Sequence, residues 1–206
     1  MTEVHPIEAE SYRILRSRID LSALPPLTRA VTERIIHATA DFDYVTDLVC
    51  DEAALAAGVE ALRRDAPVIA DVGMVAAGIT GYPVICKIGD SLCARLARTA
   101  NITLSAAAVR LAHGEAGPGA IWLVGCAPTA LAEIMSRRVE PALVIGVPVG
   151  FVGAAAAKDE LRASGLPSLS NVSEKGGSAV AVAAFNALLR VARDHPEVPE
   201  TSDDDS

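Results

Sequence analysis

The sequence predicts an α/β fold, a three-layer α/β/α sandwich with a mostly parallel sheet and a helical N-terminal segment. Two observations carry this. From Ala66 onward short β-branched runs alternate with alanine-rich helical stretches. The runs are apolar throughout rather than alternating, as strands covered on both faces are. A third observation sets the helical segment apart: no such run occurs in the first third of the chain.

The elements follow in order. Ile7, Ile14, Leu15 and Ile19 form a helical stripe over 6–19. Pro25-Pro26 breaks the chain, and a second amphipathic stretch covers 27–38 with Val31, Ile35 and Ile36 on one face. Asp51-Glu52 opens a third helix that runs to Arg64, with acids in its first turn and arginines in its last. Strands are predicted at 68–71, 84–88, 121–125, 143–147 and 168–172. Helices are predicted at 91–98, 105–113, 129–138, 152–163 and 178–193. Residues 1–195 read as one domain, with crossovers expected to be right-handed. Residues 196–206 read as a disordered acidic tail.

Composition excludes several function classes. The net charge is −8, and five acids beyond His195 leave about −3 on the body, where a nucleic-acid protein would present a basic face. Three Phe, three Tyr and one Trp are too few for a base-stacking platform. No stretch reaches the ~18 apolar residues of a membrane span, and the N-terminus lacks the basic and apolar regions of a secretory signal. Cys50, Cys86, Cys93 and Cys126 form no CxxC, and the histidines lack zinc spacing. A cytoplasmic protein with reduced thiols and no metal is expected.

In such sheets ligands sit beyond the carboxyl ends of the strands, which directs attention to 71–81, 87–91, 125–129, 146–153 and 172–178. The glycine spacing of 73–80 is Walker-like, but Ile79 holds the lysine position, so an NTPase is rejected. Lys175-Gly176-Gly177-Ser178 precedes the last helix. It reads as an anion site on a helix N-terminus or as a plain cap at Ser178, with Lys175 favouring the anion. Cys126 sits in a strand-to-helix turn that lowers thiol pKa values, but no histidine is near it in sequence. His37 ends an apolar run, with Asp41 and Asp43 behind it. Most isolated histidines are structural, and position alone does not set this one apart.

Six segments together resemble the precorrin-8X methylmutase family. They are Ile7-Glu8-Ala9-Glu10-Ser11-Tyr12, Arg34-Ile35-Ile36-His37-Ala38-Thr39, the run from Asp71-Val72-Gly73 to Ile79, Ala127-Pro128-Thr129-Ala130-Leu131, Pro148-Val149-Gly150-Phe151-Val152 and Lys175-Gly176-Gly177-Ser178. They occur in the family's order and span the chain from Pro6 to Arg193. The resemblance implies an isomerase of cobalamin biosynthesis that moves a methyl group from C11 to C12 of a corrin precursor, metal-free or cobalt-bearing, with no external cofactor. It implies a homodimer with the tetrapyrrole near the subunit interface. It assigns His37 as general acid toward a ring nitrogen, where imidazole has the right pKa. It gives Ser11, Thr80, Ser105, Lys175, Gly176, Gly177 and Ser178 as substrate-binding residues, with Lys158 as a further aid.

The chain also departs from the family pattern. Cys126 stands where an asparagine is expected, and Leu104 and Glu174 stand where arginines are expected. The loop between Ile79 and Val84 is short. These departures suit a rival reading, a corrinoid-binding or carrier relative without catalysis. A thiol hydrolase based on Cys126 is a more distant third.

Overall fold

The computed structural model describes residues 6–137 and 139–194; the predicted acidic tail lies outside them. The helices are α1 (Pro6–Arg18), α2 (Pro26–Thr39), α3 (Tyr44–Asp47), α4 (Glu52–Arg63), α5 (Gly73–Gly78), α6 (Ser91–Ala100), α7 (Leu104–Ala116), α8 (Pro128–Ser136), α9 (Ala154–Ala163) and α10 (Ser178–Asp194). The strands are β1 (Leu48–Cys50), β2 (Val68–Ala70), β3 (Ile121–Val124), β4 (Leu143–Gly146) and β5 (Ser168–Asn171), in the order β1-β5-β4-β3-β2. All neighbours are parallel except β1, which runs antiparallel to β5.

Alternation along each buried strand separates the two cores. Ile121 and Leu123 of β3 join one cluster, while Trp122 and Val124 join the other. The first cluster lies under α1, α2, α4, α5 and α10; the second lies under α7, α8 and α9. This is the three-layer sandwich the strand pattern predicts. Helix starts are set by side chains that accept otherwise orphaned N–H groups. Asp51 caps α4 through Ala53 N, Asp90 caps α6 through Leu92 N, and Thr103 caps α7 through Ala106 N. Glu52 reaches from α4 to accept the Leu27 and Thr28 amides at the start of α2.

Three local readings are corrected. Residues 84–88 form no strand; a single parallel bridge joins Ile85 to Ile69. Pro83 donates no hydrogen bond, and the chain turns at once, Asp90 N bonding Lys87 O at 3.1 Å. Residues 73–78, read as loop, form α5. Leu48–Cys50, for which the sequence predicts no element, pairs with β5 as the edge strand. Among the described residues no helix is long and apolar enough to cross a membrane.

Candidate functional site

Four of the five loops singled out by the strand-end rule, 71–81, 125–129, 146–153 and 172–178, meet at the carboxyl end of the sheet. Among the described residues 87–91 does not join them by any hydrogen bond, and its Lys87 pairs with Glu115 of α7. Asp71, following β2, accepts the amides of Gly125, Cys126 and Ala127 at 3.2, 2.8 and 3.2 Å. Gly177 N–H donates to Val147 O, and Gly150 N–H to Glu174 O. Burial raises the Asp71 pKa, opposed by the backbone N–H groups that favour its charged form.

A cleft of 460 Å³ opens between α2, α5 and α10. His37, in the last turn of α2, lines it together with Arg34, Met74, Ser178 and Asn186. Arg34 precedes His37 by three residues, and Ser178, Val182 and Asn186 are spaced by four, so helical periodicity puts each set on one face. α5 packs close to α10 at the edge of the cleft. A Cβ on Gly78 would lie 2.7 Å from Val182, so the approach requires glycine.

His37 is held from α1. Its Nδ1 hydrogen-bonds the Ser11 hydroxyl at 2.8 Å. Tyr12 stacks on the imidazole, ring centroids 4.9 Å apart and planes within 3°. The Arg16 guanidinium lies 5.5 Å from the Tyr12 centroid, and Arg34 donates to the Tyr12 hydroxyl at 3.3 Å and to Glu8 at 2.6 Å. Burial opposes the Arg34 charge, but Tyr12 and Glu8 outweigh it and raise its pKa. The ring plane is therefore fixed before any ligand arrives. Among the described residues Nε2 has no hydrogen-bond partner, and it is the nitrogen left to serve a ligand.

The expected site residues are only partly gathered. His37 and Ser178 line the cleft, and Ser11, outside its lining, holds the His37 ring. Gly176 and Gly177 lead into Ser178 with φ of 147° and 121°, and a Cβ on Gly176 would collide with the Val147 carbonyl. The leading amides of α10, from Ser178, have no intrahelical acceptors. Thr80 is exposed, and neither it nor the half-buried Ser105 lines the cleft. The Lys175 ammonium binds Asp41 and Asp43 at 2.7 and 2.5 Å, and these hydrogen bonds raise its pKa. Lys158 is fully buried. Arg34, Met74 and Asn186 were not singled out as site residues, although the 34–37 and 178–186 spacings are visible in the sequence. Cys126 is exposed, and its amide is already bound to Asp71. Among the described residues no cluster of three His, Cys, Asp or Glu is placed to hold a metal ion.

Comparisons with known proteins give one answer. The family model described as Precorrin-8X methylmutase matches residues 6–191. A cobalt-precorrin-8 methylmutase of Salmonella typhimurium is 39% identical over 195 residues, covering 89% of this chain and 93% of its own. A precorrin-8X methylmutase of Pseudomonas aeruginosa is 37% identical, with 88% and 93% covered. The crystal structure of precorrin-8X methylmutase from Thermus thermophilus superposes with a TM-score of 0.83 at 36% identity, covering 91% of this chain and 96% of the other. With this fold, this cleft and identity over nearly its whole length, the chain belongs to the precorrin-8X methylmutase family.

Proposed function

We propose that this isomerase of cobalamin biosynthesis moves the C11 methyl group of precorrin-8X, or of cobalt-precorrin-8, to C12 with His37 as general acid. The product is hydrogenobyrinic acid or cobyrinic acid. One carbon–carbon bond breaks and another forms within the same ring system, so no outside group or electron is needed. A proton on a ring nitrogen makes the conjugated system more electron-poor and lowers the barrier to migration. The rest of the catalysis is the holding of a large flexible ring in a reactive shape.

The observation that carries this reading is the placement of His37. Its Nδ1 is occupied by Ser11, its plane is held by Tyr12, and it lines the cleft with Nε2 unbonded. Imidazolium in this setting donates Nδ1–H to Ser11 and keeps Nε2–H for the substrate. The start of α10, from Ser178, supplies donors for the substrate's carboxylates, while the Gly177 N–H is held by Val147 O. Lys175 contributes through the turn rather than as a free cation, because two carboxylates already hold its charge. The chain acts in the cytoplasm as a homodimer; Phe151 and Val152, 97% and 91% exposed, support a covered apolar face beside the site.

Mixing the protein with precorrin-8X and following the visible spectrum tests the reading, because methyl migration changes the conjugation. Wild type should convert the substrate, while His37→Ala should bind it but turn over about 10²–10⁴-fold more slowly. A bound spectrum that never evolves, with either precorrin-8X or cobalt-precorrin-8 and in both proteins, would support a carrier instead. The exposed Leu104, standing where the family pattern has an arginine, favours that second reading.

A further inference from the structure

Lys158 on α9 has no surface exposure. An alkyl side chain would fill the same space without the cost of burying a charge, so its presence calls for a reason. Three oxygens surround its ammonium: Asn171 Oδ1 at 2.9 Å, Lys175 O at 2.8 Å and Ser173 O. No carboxylate touches it among the described residues. The anion behind it is Asp47 of α3, which accepts from Asn171 Nδ2 and from the Ser173 amide and hydroxyl at 2.8, 2.7 and 2.8 Å. Lysine, asparagine and aspartate thus form one relay around residues 171–175.

We infer that Lys158 is a positioning residue of the turn before α10: its three N–H groups take the turn's carbonyls inward and leave the amide edge at Ser178 facing the cleft. This rests on the reading that the start of α10 meets the substrate. The tight seat of Gly176 against Val147 O, and the Gly177 N–H bond to the same carbonyl, leave the turn little room to adjust. Three donors match three acceptors only while the amine is charged; the neutral amine has two, so one oxygen loses its bond to Lys158, and the Asn171 Nδ2 that also donates to Lys175 O at 2.9 Å is left to hold the turn.

The clamp is therefore sensitive to pH. Burial is the largest influence on Lys158 and brings its pKa down to about 8, against the attraction of Asp47. Asp159 and Arg162 of α9 and Glu174 of the turn also face it, but carboxylates and guanidinium groups ordinarily titrate far from this range. Tyr44 of α3 is pushed up to about 12, chiefly by burial, and Lys175 is raised by its carboxylate partners.

The test follows the amide resonances of Gly176, Gly177 and Ser178 from pH 7 to 9.5. In wild type they should move together with a midpoint near 8; in Lys158→Met and Lys158→Arg that titration should vanish. Amides that stay still in wild type, or that move equally in the variants, overturn the clamp, and the wild-type arm decides even if a variant fails to fold. Hydrogenobyrinic acid is the ligand probe. Its affinity should fall through the same midpoint, by at most about tenfold per pH unit. In Lys158→Met, KM should rise while kcat changes little, because His37 is untouched. If the amides titrate but the affinity does not follow, the clamp stands and the assignment of α10 to substrate carboxylates falls.

Discussion

After β3, residues 125–127 lead into α8; after β5, residues 172–177 lead into α10. Both turns precede a helix at the carboxyl end of the same sheet, and both are anchored by a buried ionisable side chain. The anchors have opposite sign. Asp71 is an acceptor and consumes three amides of its turn. Lys158 is a donor and consumes two carbonyls of its turn. The second turn also spends amides of its own, Val172 and Ser173 on Asp47 and Gly177 on Val147 O, so the amides it leaves open are those that begin α10, from Ser178. The sign of the buried charge thus decides whether the anchor holds amides or carbonyls of its turn. Of the two helices that follow, α10 lines the cleft and α8 does not.

The comparison can be broken most forcefully at Asp71. Asp71→Ala leaves three amides without their acceptor, and at about 1–3 kcal/mol for each buried unsatisfied group the expected loss is about 3 kcal/mol or more. Urea unfolding reads it. Protein that remains folded should still bind hydrogenobyrinic acid, since this turn does not line the cleft. At the other turn, Gly176→Ala forces a methyl group onto the Val147 carbonyl at a φ that side chains rarely adopt. We expect about 1–3 kcal/mol from the backbone strain. Here the ligand affinity, measured by absorbance titration, should fall together with the stability; loss of stability alone would mean that the turn is only structural.

A smaller effect sharpens the electrostatic side. Burial disfavours the charged form of Asp47, but its bonds to Asn171 and Ser173 win, and its pKa is lowered. The unfolded chain then binds the proton more readily than the folded one. The stabilisation is complete above the ordinary carboxylate pKa and is lost as pH falls through the lower, folded value. Asp71, with its pKa raised, contributes the opposite slope. Asp47→Asn should therefore flatten the fall of unfolding free energy below about pH 4, and Asp71→Asn should not. Urea unfolding at a series of acid pH values separates the two.

Much of this fold was legible because its central strands are uniformly apolar. Ile121–Val124 and Leu143–Gly146 announce themselves as doubly covered. β1 did not, because Leu48–Cys50 is three residues long and pairs on one side only. α5 is hidden by a glycine at each end, a poor helix former by propensity; Gly78 is required by the contact with Val182, while Gly73 faces open space. Val84–Ile88 has strand composition, but only Ile85 finds a partner. At the site, His37 could be named from its motif, while its environment could not. Ser11 and Tyr12 lie about one helix and one turn away in sequence, and only the packing of α1 on α2 brings them to the ring. Thr80 and Ser105 show the reverse, matching family positions yet standing outside the cleft of this chain. In the sequence Lys158 looks like a helper for anions, because a sequence shows charge but not burial.

Trp122 is the sole tryptophan of the chain, and it is buried in the core under α7, α8 and α9, across the sheet from the cleft. Its indole N–H has no hydrogen-bond partner among the described residues. Such a fluorophore emits from a dry, apolar surrounding, so its wavelength reports the integrity of the far layer and is blind to small rearrangements around His37. Its intensity reports something else. A conjugated macrocycle absorbing in the near ultraviolet and visible would accept the excitation energy through the sheet. Wavelength and brightness of one side chain then give independent optical readings of folding and of occupancy, without a label.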